Sequence, residues 1–171
     1  MKTQKEMTGN ESGCAMKYIN IYIDTSIKGP RRSDGACQYI IAYEAANGKV
    51  ADTGSRISAT DATENHLTIM GLQAALSRLK APCGINLYLE CSYVAAVLQN
   101  GWYQDWRYAG WMTAKGKPVQ DAGLWQEIEK LLCPHTFQVF LKRPHPYRDW
   151  MHRELLKYKD GRGEKREKHY A

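Results

Sequence analysis

The chain has 171 residues, 43% of them apolar and 25% charged, and 24 Lys and Arg against 18 Asp and Glu give a net charge of +6. That length suits one domain with its own core, and no apolar run is long enough to span a bilayer. Membrane, collagen-like and disordered classes are excluded, while a mild basic excess fits a nucleic-acid partner without requiring one.

Residues 1–16 lack an apolar core and read as a flexible leader. Residues 17–157 form the expected domain, and 158–171 a basic tail. From Lys17 to Asp24 the residues alternate, with Ile19, Ile21 and Ile23 on one face and Asn20, Tyr22 and Asp24 on the other, which predicts a strand. Gln38–Tyr43 and Lys49–Ile57 flank Asn47-Gly48, a tight-turn pair, so strands one to three form an antiparallel meander. A helix follows, carrying Leu67, Met70, Ala74, Ala75 and Leu79 on one face, with Asp61 and Glu64 as a capping pair. Ile85–Glu90 alternates again, and a strand–helix–strand order predicts a parallel crossover. Helices are expected over 92–100, 122–132 and 147–158, with a last strand over 136–142. The expected class is α/β: a mixed five-stranded sheet flanked by helices.

Cys14, Cys37, Cys83, Cys91 and Cys133 form no C-x-x-C pair and have no zinc spacing, so they read as reduced thiols of a cytoplasmic protein. Asp24 and Glu90 end strands one and four, each opposite its strand's Ile/Leu row. If the strands are parallel neighbours, both carboxylates emerge at the carboxyl end of the sheet, where open α/β sheets bind ligands. Two close carboxylates need a cation, and hard oxygen donors suit Mg²⁺ or Mn²⁺. Two solvated strand-end acids are the plainer alternative. Glu154 shares a helix face with Trp150 and Met151, which sets it inward or at the rim; a surface Glu paired with Arg153 or Lys157 is its alternative. Residues 102–118 (WYQDWRYAGWMTAKGKP) interleave aromatics with Arg107, Lys115 and Lys117. They read equally as a stacking, phosphate-neutralising surface or as a satellite core.

These motifs resemble the bacterial type I ribonuclease H family over about Lys17–Lys157. The longest match is W-R-Y-A-G-W-M-T-A-K-G-K-P-V-Q-D-A-G-L-W-Q-E-I, residues 106–128, similar to the family's basic handle. I-D-T-S (23–26), N-H-L-T-I-M-G-L-Q-A-A-L (65–76) and L-Y-L-E-C-S-Y-V (87–94) extend it. The resemblance implies a ribonuclease H-like fold and a metal-dependent endonuclease that cuts the RNA strand of RNA–DNA hybrids. It implies four carboxylates, two divalent metals and a monomer, with double-stranded RNA as a second candidate partner. Carried over by position, the carboxylates are Asp24, Glu90 and, counting ungapped from Lys142, Glu154; the latter two are Asp in the family. The second carboxylate position holds Thr68. Glu64, one turn earlier, either replaces it or serves only as a helix-capping acid. His145 is the nearest candidate for the family's product-release histidine. The nucleic-acid contacts implied are Asn65, Trp102, Trp106, Arg107, Trp111, Thr113, Lys115 and Lys117. Pro30-Arg31-Arg32 stands in place of a Gly-rich run. Retained binding with impaired chemistry is the alternative function, carried by the handle and by Arg31 and Arg32.

Overall fold

In the computed structural model, which describes residues 16–159, the alternating apolar row of the first strand sets the architecture. Strand β1 (Lys17–Thr25) lies at the centre of a five-stranded sheet. It pairs antiparallel with β2 (Arg32–Glu44), which pairs antiparallel with β3 (Val50–Thr63). On its other side β1 runs parallel to β4 (Cys83–Leu89), and β4 runs parallel to β5 (Thr136–Leu141). The order is therefore β3-β2-β1-β4-β5. Between these strands lie α1 (Glu64–Ser77), α2 (Ser92–Asn100), α3 (Trp102–Tyr108) and α4 (Ala122–Leu132), with α5 (Arg148–Lys159) last. The leader and most of the tail fall outside the described residues.

Ile19, Ile21 and Ile23 meet Ile85, Leu87 and Leu89 from β4 beneath Ile69 and Leu72 of α1, Val94 and Leu98 of α2, and Trp125 of α4. The opposite face is covered by α5, where Met151 packs with Tyr22, Ile40 and Ala42. Burying both faces explains why Tyr22, between Ile21 and Ile23, and Tyr88, between Leu87 and Leu89, are aromatic. At about 25 cal/mol per Å², each fully buried Ile or Leu contributes about 1.5–3 kcal/mol.

The Asn47-Gly48 turn forms as expected. Gly48 takes φ +84°, Ala45 and Lys49 close the turn, and the Lys49 amide donates to Asn47 Oδ1 at 3.0 Å. β2 and β3 extend well beyond the predicted strands. Their extra pairs, from Arg32–Thr63 to Ala36–Ser58, are polar or small and carry no alternation; backbone pairing alone, with a bulge at Ser33/Gly35, builds this end. Arg32 is thus a strand residue, and its guanidinium donates to the Asp61 carbonyl at 2.8 Å. The capping pair is corrected too. Thr63, not Asp61, caps α1, its hydroxyl accepting from the His66 amide at 3.2 Å, whereas Asp61 sits in the left-handed region with its amide on Asp34. A β-region residue immediately before the first turn can cap, and a residue two positions before that cap cannot.

Candidate active site

Parallel pairing puts Ile23 beside Leu89, so one step further along the strands Asp24 and Glu90 leave the sheet together. Asp24 is 6% exposed and accepts from the Thr25 amide at 2.8 Å. A cavity of about 250 Å³ opens there, lined by Asp24, Lys28, Glu90, Arg148, Asp149 and His152. Thus α5 contributes three residues from its first two turns.

Two cations already engage these acids. The Lys28 ammonium pairs with Asp24 Oδ1. The Arg148 guanidinium grips Glu90 with two bonds, Nε–Oε2 at 3.1 Å and Nη2–Oε1 at 2.9 Å. That fork raises Arg148 above its ordinary pKa, fixing its charge. Glu64 does not enter this cavity. Its Oε1 accepts from the Gly29 amide at 3.0 Å, tying α1 to the loop after β1, and it lines an adjoining cavity of about 530 Å³ with Lys28, Asn65, Glu90, Cys91, Tyr93 and Lys142. Thr68, 2% exposed, donates its hydroxyl to the Glu64 carbonyl at 2.8 Å, an ordinary helix back-bond that spends its one donor. Asn65 accepts from Cys91 Sγ.

Glu154 is not brought to this cavity. It pairs with Lys157 at 2.6 Å, which holds its carboxyl below the usual range, with Arg56 of β3 adding to the effect. Arg56 borders a separate groove beneath Trp150 and Tyr147, on the β3 side of α5. Asp149, in the first turn of α5, is the carboxylate that the helix presents to Asp24 and Glu90. His145 stacks on Tyr22 at 4.2 Å between ring centroids, and it accepts from the Tyr147 amide. Burial pushes its pKa down, and the nearby Glu90 charge opposes that only in part. It is a packed aromatic-cluster residue.

The handle segment divides in two. Trp106 meets the fully buried Trp125 edge to face at 6.0 Å, and both Trp106 and Trp111 pack against the main core. These two are satellite-core residues. Asp121 accepts from the Trp125 amide and receives His66 Nδ1 at 2.7 Å, so the D-A-G-L-W run locks α4 onto α1. Trp102 and Tyr108 are exposed, with Arg107 lying over the Tyr108 ring and near Glu129. Beyond them Met112 bridges to Pro118 around a tight turn closed by Thr113 and Lys117, leaving Lys115 and Lys117 exposed at its tip.

The family model described as RNase H matches residues 16–146. The chain belongs to the ribonuclease H family. It is 32% identical over 130 residues to a Ribonuclease H of Oleidesulfovibrio alaskensis, covering 76% of this chain and 80% of that one. It is 35% identical over 121 residues to the Ribonuclease H of Chlorobaculum parvum, covering 70% and 77%. By family it is a ribonuclease H-type hydrolase. Among solved structures, the fold resembles a type 1 RNase H with the type 2 active-site motif (TM-score 0.69, 17% identity, 86% of this chain and 74% of that chain). It also resembles a foamy viral protease-reverse transcriptase in complex with RNA/DNA hybrid (TM-score 0.58, 17% identity, 85% of this chain and 20% of that chain).

Ribonuclease H enzymes generally use divalent metals. Asp24, Glu90 and Asp149 line one cavity with hard oxygen donors, the donor type that suits a divalent ion. Lys28 pairs with Asp24 and Arg148 with Glu90, so two of these acids already have a cation partner. Among the described residues, no group of three or more His, Cys, Asp or Glu side chains is gathered at metal-binding spacing.

Proposed function

We propose that this chain is a metal-dependent endonuclease that hydrolyses the RNA strand of RNA–DNA hybrids, within a functional unit spanning residues 17–157. The observation that carries the reading is the convergence of Asp24, Glu90 and Asp149 on one cavity at the carboxyl ends of β1 and β4. Family membership and the hybrid bound by a structural relative support the substrate class. Asp24, Glu90 and Asp149 would hold the Mg²⁺ or Mn²⁺ ion. When bound, such an ion supplies the Lewis acidity that activates a water and steadies charge on the scissile phosphate. Asp24 is held rigid by burial and by the Thr25 amide, so its oxygens are pre-oriented. Lys28, on a flexible stem with a half-exposed head, supplies positive charge to the substrate phosphate once released from Asp24. Lys115 and Lys117 neutralise backbone phosphates further along the duplex, and Trp102 and Tyr108 offer aromatic faces beside them. A hybrid is read there by shape and by 2′-hydroxyl contacts rather than by base sequence.

The test is cleavage of a labelled hybrid at fixed ionic strength with Mg²⁺, Mn²⁺ or chelator, beside an Asp24→Asn control. Cutting is expected only with metal and with Asp24 intact, and no cutting with either metal refutes the reading. A second reading, hybrid binding with the chemistry impaired, draws on Thr68 and on the Lys28 and Arg148 ion pairs. A hybrid that shifts in a binding assay without being cut would establish it.

A further inference from the structure

We infer that the slot between α5 and β3 is a binding site for a nucleoside monophosphate with an amino-bearing base, set apart from the carboxylate cavity. The inference does not depend on the hydrolase reading. The slot holds about 620 Å³, within the range of small-ligand sites. Its frame is pinned at both ends. The Tyr147 hydroxyl donates to Asp52 Oδ2 at 2.6 Å at one end, and the Tyr158 and Ser58 hydroxyls meet at 2.5 Å beyond the other. Between these pins Gly54 bears no side chain beside Ile40, its cross-strand partner. None can be added without moving the strands, because a Cβ there would fall 2.4 Å from the Tyr39 carbonyl oxygen. The opening is therefore built into the backbone, and its closed ends suit a compact molecule.

The slot is chemically graded along its length. Asp52 and Arg56 share one face of β3 and stand about 13 Å apart, a carboxylate at one end and a guanidinium at the other. Among the described residues Arg56 forms no ion pair. It lies over the Tyr158 ring, and Glu154, near enough to feel its charge, is already paired with Lys157. Gln38, the cross-strand partner of Arg56, is 8% exposed, and its Oε1 is buried without a hydrogen-bond partner. An orphaned acceptor is costly, and a turn of the soft terminal torsion presents it to a donor in the slot. Trp150, 44% exposed, forms the α5 wall. One molecule laid lengthwise satisfies all four groups. The planar Arg56 fork matches phosphate oxygens, and a ribose hydroxyl donates to Gln38 Oε1. The base stacks on the Trp150 indole above Gly54 and turns its N–H donors to the Asp52 carboxylate. Guanine presents adjacent N–H groups for that contact, and uracil does not.

The experiment is calorimetric titration of the full chain with guanosine 5′-monophosphate, in chelator and again in Mg²⁺. Saturable binding of one nucleotide per chain is expected, with the same affinity in both media. Guanosine, inorganic phosphate and uridine 5′-monophosphate should each bind about tenfold more weakly or worse, since each lacks one end of the match. Arg56→Gln and Asp52→Asn should each cost about tenfold in affinity for the nucleotide, and Arg56→Gln should leave the weak binding of guanosine unchanged. Both side chains are exposed, and a urea midpoint checks that each variant folds. The ligand comparison on the unsubstituted chain needs no variant at all. Absence of saturable binding below about 1 mM overturns the inference. So does full affinity in both folded variants, or equal binding of guanosine, phosphate or the uridine nucleotide. Binding that requires Mg²⁺ would put the nucleotide at the carboxylate cavity and overturns it too. No cutting is measured, so loss of the hydrolase reading would leave these results standing.

Discussion

Replacing Arg148 by Met tests how much of the site's architecture rests on the fork to Glu90. Bonds to charged groups contribute about 1.5–3 kcal/mol each when buried, and exposed ion pairs about 0–1 kcal/mol. With Arg148 at 37% side-chain exposure and Glu90 at 16%, the pair falls between these limits, at about 1–2 kcal/mol of coupling. Two further terms act in opposite directions. Loss of the cation leaves Glu90 facing Asp24 and Asp149 across one cavity, which is unfavourable. It also removes a positive charge from the first turn of α5, which relieves about 0.3–1 kcal/mol of helix-dipole repulsion. The net expectation for Arg148→Met is a loss of about 1 kcal/mol, or about 2–4 °C in Tm for a chain of this size. The assay is urea denaturation in chelator of the parent, Arg148→Met, Glu90→Gln and the double variant. The midpoint should fall without a change in m, and the cycle should return coupling of about 1–2 kcal/mol. Coupling below about 0.3 kcal/mol, within ordinary additivity, would refute the reasoning. It would mean that the packing of Met151 and Leu155, not the fork, holds α5 against the sheet.

Two further outcomes follow from the geometry. Burial holds the His145 pKa below its ordinary 6.5, so the folded chain resists a proton that the unfolded chain accepts, and stability falls as pH drops from about 6.5 toward the lower folded value. His135 acts in the same direction. His145→Phe keeps the stack on Tyr22, so between pH of about 7.5 and 5.5 it should lose less urea stability than the parent; equal losses would contradict this sign. Separately, log affinity for hybrid should fall linearly with log salt, and Lys115→Gln or Lys117→Gln should each reduce that slope by about 1. Unchanged slopes in both variants would remove the turn tip from the phosphate-binding surface.

The sheet was legible because its determinants are local. Ile19, Ile21 and Ile23 fix which face of β1 meets α1, and the β1–α1–β4 order fixes a parallel neighbour, so Asp24 and Glu90 follow from register alone. The polar halves of β2 and β3 were not legible, because Arg32–Ala36 and Ser58–Thr63 gain strand character from each other rather than from their own sequences. The handle was half legible. Its sequence shows three Trp, but which ring faces Trp125 depends on how α3 lies against α4, and that angle has no local signature.

The fourth carboxylate shows where position counting and physical placement part. Counting ungapped from Lys142 ends at Glu154, but what matters is where α5 begins and how it turns. Lys142 takes a left-handed φ of +53°, Pro144 and Pro146 hold the chain out of helix, and α5 starts only at Arg148. Its first turn therefore carries Asp149 over the ends of β1 and β4. Glu154 lies five residues on, rotated about 140° around the axis and about 7.5 Å along it. One helix cannot aim both side chains at a single cavity. Packing of Met151 and Leu155 against the sheet then sets Asp149 at the Asp24–Glu90 cavity and turns Glu154 toward Lys157 and Arg56. The same rotation puts Arg148 beside Glu90, so the cation that pairs with Glu90 and the acid that shares its cavity come from adjacent residues of one helical turn.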